Sequence, residues 1–495
     1  MAVRSKDSNV SRSSSQDLTP QTGGTGLLHS GVEQSRHPTA PSSSKRIVLF
    51  IATLSAFLTP LMGSAINIAL PVIGKEFAMD AIVLSWVASS YILAAAMFLV
   101  PFGKFADIHG RKRIFTYGIL IYTVASFLCG MAQSATSLIV FRVMQGLGGS
   151  MIFGTGVAIL TSVYPPGERG KALGINVAAV YLGLSLGPVF GGFLTQHFGW
   201  RSVFYANVPL GLIIVVMVLW KLKGEWAEAR GERFDLAGSV IYSSTLVAVM
   251  SGLSLLPRPA GIALILLGIG GLLAFVRWEL KLPNPVLSMN LFKNNTVFAM
   301  SNLAALINYS ATFASGFLLS LYLQYIKGLN PRDAGLILVA QPIMMALLSP
   351  FAGHFSDHIE SRVVASLGMA VTVVGSVMLI FLGPGTSTGY IILSLLILGV
   401  GFGLFSSPNT NAIMSSVGKK SLGVAAATLG TMRLTGQTLS MGMATVLFAV
   451  FVGKVQITPE YYLQFLASVR TSFIIGSIVC FAGIFISLAR GKVRS

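Results

Sequence analysis

Charge is scarce in this 495-residue chain: Asp, Glu, Lys and Arg together make up 10% of it, against roughly 25% in an ordinary soluble domain. A surface facing water cannot be covered with so few charges, which excludes the usual soluble enzyme. Cysteine is nearly missing. Cys129 and Cys480 both sit in apolar runs, which excludes a disulfide framework and most metal–thiolate sites. Acidic residues number 16 against 34 Lys and Arg. No Gly-x-x-x-x-Gly-Lys-Ser/Thr phosphate loop occurs, which argues against ATP-driven work. No His, Cys and carboxylate grouping has metal-ligand spacing, and Ser, His and Asp are too scattered for a triad. The expectation is a protein that is not an enzyme and holds no cofactor and no metal.

What is abundant is apolar length. Hydrophobic residues make up 54%, and the 53 glycines fit helices that pack closely in lipid. A bilayer core needs about 20 apolar residues per helix. Fourteen such stretches run roughly over 47–72, 82–102, 114–133, 138–164, 171–195, 203–222, 236–255, 260–277, 297–324, 333–352, 364–383, 388–412, 422–452 and 470–489. Residues 1–45 are rich in Ser, Thr, Gly and Gln and read as a disordered tail. They do not read as a signal peptide, because the first apolar run starts too late and is too long. An even number of spans puts both termini on one side. With the termini inside, 25 of the Lys and Arg residues fall on the cytoplasmic side. Seven fall outside (Lys75, Arg201, Arg258, Lys327, Arg332, Lys454, Arg470), and Arg142 and Arg433 lie within spans. That bias sets the orientation. It also accounts for the net charge of +18 without a nucleic-acid partner.

The stretch after the second span reads as a loop, Gly103-Lys-Phe-Ala-Asp107-Ile-His-Gly110-Arg111-Lys112-Arg113. Its aspartate, at a helix end, can pair with a neighbouring cation or cap a neighbouring helix. After the tenth span, 250 residues on, Gly353-His-Phe-Ser-Asp357-His-Ile-Glu360-Ser361-Arg362 repeats Gly, Phe and Asp in register. Two such loops, each following an outside-to-inside helix, imply two related halves with a site between them.

These residues resemble the major facilitator superfamily, and within it the fourteen-span drug:proton antiporters, over about residues 47–490. The Gly103–Arg113 stretch matches the signature loop between helices 2 and 3. Arg142-Val-Met-Gln145-Gly146 matches the motif whose intramembrane arginine serves proton transfer. Gly174, Gly183, Gly187, Pro188, Gly191 and Gly192 match the antiporter glycine–proline pattern of span 5, and Trp200-Arg201 and Asn207-Val-Pro209 are also typical. The resemblance implies an all-α membrane protein of two six-helix bundles plus two additional linker helices. Its boundaries would be a tail at 1–45, an N-terminal bundle at 46–222, a linker with two extra helices at 223–295, a C-terminal bundle at 296–490 and a tail at 491–495. It further implies a multi-pass monomer of the cell membrane, whose partners are a small-molecule substrate, protons and the lipid bilayer. Gating by rocking halves would fall to Gly103, Asp107, Gly110, Arg111, Lys112, Arg113, Gly353, Asp357 and Arg362. Proton transfer or a cavity role would fall to Arg142 and Gln145. Each motif also has a plainer reading: the Asp107 cluster as a loop anchor, the glycines as close packing, Pro188 as a kink. A buried arginine is harder to read as packing alone.

One position departs from the pattern. The family's first span carries an aspartate where Leu61-Met62-Gly-Ser-Ala-Ile-Asn67-Ile-Ala-Leu-Pro71 has Met62. None of the 16 acidic residues lies in a helix interior, and the histidines avoid the span centres. A cavity would instead be lined by Asn67, Arg142, Gln145, Tyr181, Asn302, Asn308, Gln341, Asn409, Asn411 and Gln437, each of which also fits a helix-packing hydrogen bond. Three functions follow. The first is a proton-driven exporter of amphipathic or neutral compounds, coupled at Asp107, Asp235 or Asp357. The second is an uncoupled facilitator or exchanger of neutral or anionic metabolites. The third is a membrane sensor that transports nothing.

Overall fold

The computed structural model describes residues 45–491 except 283–284, 288 and 419–421, and leaves out the side chains of Pro166, Gly167 and Asp357. The tail expected at 1–45 (Lys45 apart), the last four residues of the tail expected at 491–495 and the expected gating carboxylate of Asp357 lie outside the described residues. Lipid offers no hydrogen bonds to an apolar segment, so the backbone must satisfy itself, and helices do that within one segment. Fourteen helices are long and apolar enough to cross a membrane, and no strand occurs among the described residues. They are α1 Lys45–Glu76, α2 Ala81–His109, α3 Arg111–Gly130, α4 Ala135–Val163, α5 Pro166–Phe198, α6 Arg201–Lys221, α7 Leu236–Leu255, α8 Pro259–Glu279, α9 Thr296–Ile326, α10 Pro331–Leu338 continuing as Ala340–His358, α11 Ser361–Ile380, α12 Thr388–Ser415, α13 Leu422–Phe451 and α14 Tyr462–Ala489.

Polar caps set several of the starts. Asp80 accepts from Val83 N at 2.8 Å, Asp235 from Gly238 N at 3.0 Å and Asn295 from Phe298 N at 2.9 Å. The two signature stretches are not loops. Residues 103–109 continue α2 and residues 353–358 continue α10. A single residue, Gly110, at φ 116°, separates α2 from α3. Hydropathy marks only the part of a helix inside hydrocarbon, and nothing in these stretches breaks a helix as it leaves, so the helices run on into the charged interface.

Helices α1–α6 pack mainly among themselves, as do α9–α14, and α7 lies against both α2 and α13. The two groups meet where α5 touches α10, α2 touches α13 and α1 touches α9. We call the end holding Lys45, Gly110 and Ser361 the basic end. The hydrogen bonds that join the groups lie at the opposite end and at mid-depth. Ala81 N donates to Val455 O at 3.1 Å, Ser320 Oγ to Asn67 O at 2.6 Å and Gln324 Nε2 to Ile68 O at 3.0 Å. Ser85 and Thr445 share a hydrogen bond of 2.9 Å.

Glycine makes the tightest crossings. A Cβ at Gly183 would lie 2.5 Å from Phe57 O, one at Gly191 would lie 2.6 Å from Ala65 O, and one at Gly187 would collide with Ser64 Oγ. So α5 lies backbone to backbone on α1. The second group repeats the device: a Cβ at Gly436 of α13 would lie 2.6 Å from Leu306 O of α9. Gly192 and Gly335 close α5 on α10, each against main chain of the other helix, at Pro331 and Pro188. By contrast Gly174 faces open space. Gly187→Val should therefore destabilise the protein by about 1–3 kcal/mol through overpacking. Gly174→Ala should be neutral or stabilising by at most about 1 kcal/mol. Thermal unfolding midpoints in detergent check both, and equal behaviour of the two variants would contradict the packing described.

Candidate functional site

At mid-depth, between the two groups, side chains from five helices converge. Tyr181 of α5 bonds through its hydroxyl to Ser406 Oγ of α12 at 2.9 Å. Arg433 of α13 reaches the same Ser406 Oγ through Nη2 at 3.4 Å and lies over the Tyr309 ring of α9, 5.5 Å from its centre. Tyr309 meets Phe402 edge to face at 5.2 Å, and Met345 of α10 packs with Tyr181, Tyr309 and Phe402. Gln437 is one turn from Arg433, and Gln341 one turn from Met345, both half-buried. Arg433 Nε is buried without a hydrogen-bond partner. A guanidinium held only by a hydroxyl and a ring face retains donors for an oxygen brought by a ligand, beside an aromatic and thioether wall that takes apolar surface.

Arg142 sits elsewhere, wholly buried among α2, α3 and α4. Its Nε donates to Val87 O at 3.1 Å and its Nη1 to Gln145 Oε1 at 2.5 Å, with the Tyr91 ring 4.5 Å away. Gln145 passes the chain on to Ser126 Oγ at 2.7 Å. Among the described residues no carboxylate pairs with this cation; carbonyl and amide oxygens and a ring face hold it. Met62, at the place of the family's aspartate, is buried too, and Asn207 Nδ2 donates to its sulfur at 2.9 Å. That position faces α6 within the first group.

At the basic end the signature residues are bound to the segment between α6 and α7. Arg111 Nε donates to Asp107 Oδ1 at 2.7 Å, and its Nη1 and Nη2 reach Glu228 at 2.7 and 3.1 Å. Arg111 N donates to Trp226 O and Ala229 N to Asp107 O, at 2.8 and 2.9 Å. Lys112 N donates to Glu225 Oε1 at 2.8 Å, Arg113 Nε lies 3.9 Å from Glu225, and Lys104 pairs with Glu232 at 2.6 Å. Gly110 leaves room for the Glu225 side chain, into which a Cβ would collide. Gly103 meets nothing. Partial burial works to raise the Glu228 carboxyl, but the hydrogen bond and charge of Arg111 outweigh it and hold Glu228 below the usual carboxylate range.

In the second group, Gly353 meets Ser407, and the buried cation is Arg490. It donates to Asn409 Oδ1 at 2.9 Å, Ser301 Oγ at 3.2 Å, Ser361 O at 3.2 Å and Ser487 Oγ at 2.9 Å. Burial and then the charge of nearby Arg362 push Arg490 down to about 10, still protonated at neutral pH. Asn409 thus serves Arg490. Asn302 bonds to Phe298 O and Asn411 to Ser356 Oγ, while Asn308 is buried with neither amide atom paired. Asn67 is half-buried on α1 opposite Gly316 of α9.

Of the cavity residues read from sequence, Tyr181 joins the mid-depth cluster and Gln341 and Gln437 flank it. Ser406, Tyr309, Phe402 and Met345 carry no sequence signal, being ordinary residues in apolar spans. Glu225, Glu228 and Glu232 did carry one: acids at helix-like spacing close to a basic run.

Comparison with known proteins adds the following. A family model described as Major Facilitator Superfamily matches residues 52–441 and 301–494. The chain is 31% identical over 451 residues to a riboflavin transporter, RibZ, of Clostridioides difficile, covering 90% of this chain and 97% of that one. It is 30% identical over 426 residues to multidrug resistance protein Stp of Mycobacterium tuberculosis, covering 85% and 78%. In fold it is similar to a bacterial homolog of the human lysosomal transporter Spinster, with TM-score 0.66, 16% identity and coverage of 90% and 96%.

The strap formed by residues 222–235 should respond to acid in a set way. Glu228 ionises below the ordinary carboxylate range, so its hold on Arg111 is complete above that range and is lost as pH falls through the lowered value. Exchange protection of the Ala229 amide, corrected for intrinsic rate, should stay constant down to the ordinary carboxylate range and drop only below it. Arg111→Gln should remove that protection already at neutral pH.

Proposed function

This chain belongs to the Major Facilitator Superfamily, and on that premise we propose that it exports amphipathic small molecules by alternating access, driven by proton antiport. It is a secondary transporter with multiple membrane spans. We place it in the cell membrane as a monomer with both chain ends in the cytoplasm, on the Lys and Arg distribution. The basic end is then the inner end, and the contacts that join the two helix groups seal the outer side. Cargo enters from within and meets the Arg433–Ser406–Tyr181 cluster.

The observation that carries this reading is the incompletely satisfied Arg433 at the meeting of five helices from both groups. A ligand oxygen that takes an Arg433 donor and displaces the Tyr181–Ser406 bond loosens the one mid-depth hydrogen bond described between α5 and α12. Differential binding of cargo to two states is what moves an access equilibrium. The chemistry favours neutral or anionic cargo with aromatic surface over dications, because no described carboxylate lines the cluster. Relatives named for riboflavin transport and for multidrug resistance support a small organic cargo. The same lack of a carboxylate favours a second reading, an uncoupled exchanger of neutral or anionic metabolites.

Flux in vesicles, with and without an imposed pH gradient, separates the two. Gradient-dependent export is expected; equal flux in both conditions selects the exchanger. Arg433→Gln should weaken apparent cargo affinity by about 10- to 100-fold, the worth of a charge-assisted hydrogen bond of about 1.5–3 kcal/mol. An anionic aromatic cargo handled by Arg433→Gln as by the native protein would remove Arg433 from the site.

A further inference from the structure

The α7–α8 hairpin, which the alternating-access reading leaves idle, holds two acids in an unusual setting. Asp235 caps α7, and its carboxylate also accepts from Trp278 Nε1 at 3.2 and 3.3 Å. Glu279, the last residue of α8, is 2% exposed. Its Oε2 accepts from Leu287 N at 3.0 Å, and its Oε1 is buried without a partner. Both carboxyls face the notch left by Gly238, where a Cβ would strike Asp235 Oδ2 and lie 2.8 Å from Glu279 Oε1.

The charged and titratable groups on the surrounding elements are few. Arg233 precedes α7; Arg277 and Lys281 lie on α8 and the turn after it; Lys293 is on the short helix Met289–Asn294; Lys104 and His109 are on α2. Lys104 is taken by Glu232, His109 stacks on Phe105 at 4.0 Å, and Glu279 has no ion pair among the described residues.

We propose that Glu279 carries a proton where it faces Asp235, and that this carboxyl is the titratable site that couples the hairpin to the access state. The proposal rests on the proton-driven reading above. A buried carboxyl that faces a carboxylate with no cation between them keeps its proton. With the proton in place, Glu279 stays inside and holds Leu287 N. When the proton leaves, two negative charges face each other, Glu279 turns out toward water and the Leu287 bond breaks. That bond ties the hairpin to the segment leading into α9. Further along, α7 is fixed to both helix groups. Tyr242 Oη donates to Ala96 O at 3.2 Å and Ser243 Oγ to Met97 O at 3.0 Å on α2, while Gly442 of α13 closes on Met250 and Leu253. Release at the basic end is thus felt by α2 and α13, a pair through which the groups touch.

Trp278 reports the pair directly. In the purified full-length protein, the part of the tryptophan emission removed by Trp278→Phe should follow a single titration between about pH 5 and 9. Glu279→Gln, which keeps the shape and the Leu287 bond, should abolish it. Should Glu279→Gln not fold, Asp235→Asn must lower its midpoint instead. A flat native response, or the same midpoint in these variants, overturns the protonated Glu279. Spin labels at Lys171→Cys and His358→Cys should change separation with that same midpoint, and show no pH response with Glu279→Gln. Emission that titrates while the separation does not overturns the coupling. If both titrate but vesicle flux ignores the pH gradient, the pair stands and the antiport reading fails.

Discussion

Hydrocarbon gives a cation nothing to bind, and much of this structure follows from how three arginines are kept. Arg142 is surrounded by a backbone carbonyl, an amide and a ring. Arg490 is met by five neutral oxygens. Both are satisfied inside a single helix group, so each stiffens that group without linking it to the other. Arg433 differs. It lies where the groups meet and keeps an unpaired donor. A buried polar group without its partner costs free energy until something supplies one, and the place for that partner lies between the two helix groups. Arg142 and Arg490 are fully buried and held, whereas Arg433 is half-buried and keeps a free donor.

The architecture was legible because length and hydropathy are local properties. Fourteen apolar stretches, a signature repeated 250 residues apart and an excess of basic residues at one set of turns require no knowledge of tertiary contacts. The errors lay at the interface. The run from Gly103 to His109 looked like a loop because it is charged, yet charge does not unwind a helix that has already left the lipid. The mid-depth cluster was largely invisible. Tyr309, Phe402, Ser406 and Arg433 come from three helices spread over more than a hundred residues, and no periodicity brings them together. Arg433 stood out only as a charge within a span. Glu279 looked like an ordinary acid at a helix end, and its burial depends on Gly238, remote from it in the chain, and on the way the chain folds back at Leu287.

The extra hairpin changes meaning once its contacts are known. Two helices inserted between two bundles read as a spacer. In the structure α7 touches both groups and its approach segment binds the signature residues of the first. Residues 222–235 and α7 therefore form one mechanical path, running from Arg111 past the Asp235 cap to α13. Four acids, Glu225, Glu228, Glu232 and Asp235, lie along that path at the basic end.

At the far end α5 meets α10 through main chain. Gly192 lies on Pro331 and Gly335 on Pro188, with no side chain between the helices at either point. A barrier of side chains leaks whenever one of them changes rotamer, on a timescale far shorter than any domain motion. A barrier of backbone on backbone has no such loose part. It can part only when two whole helices separate, so this contact has two positions, shut or parted, and nothing between.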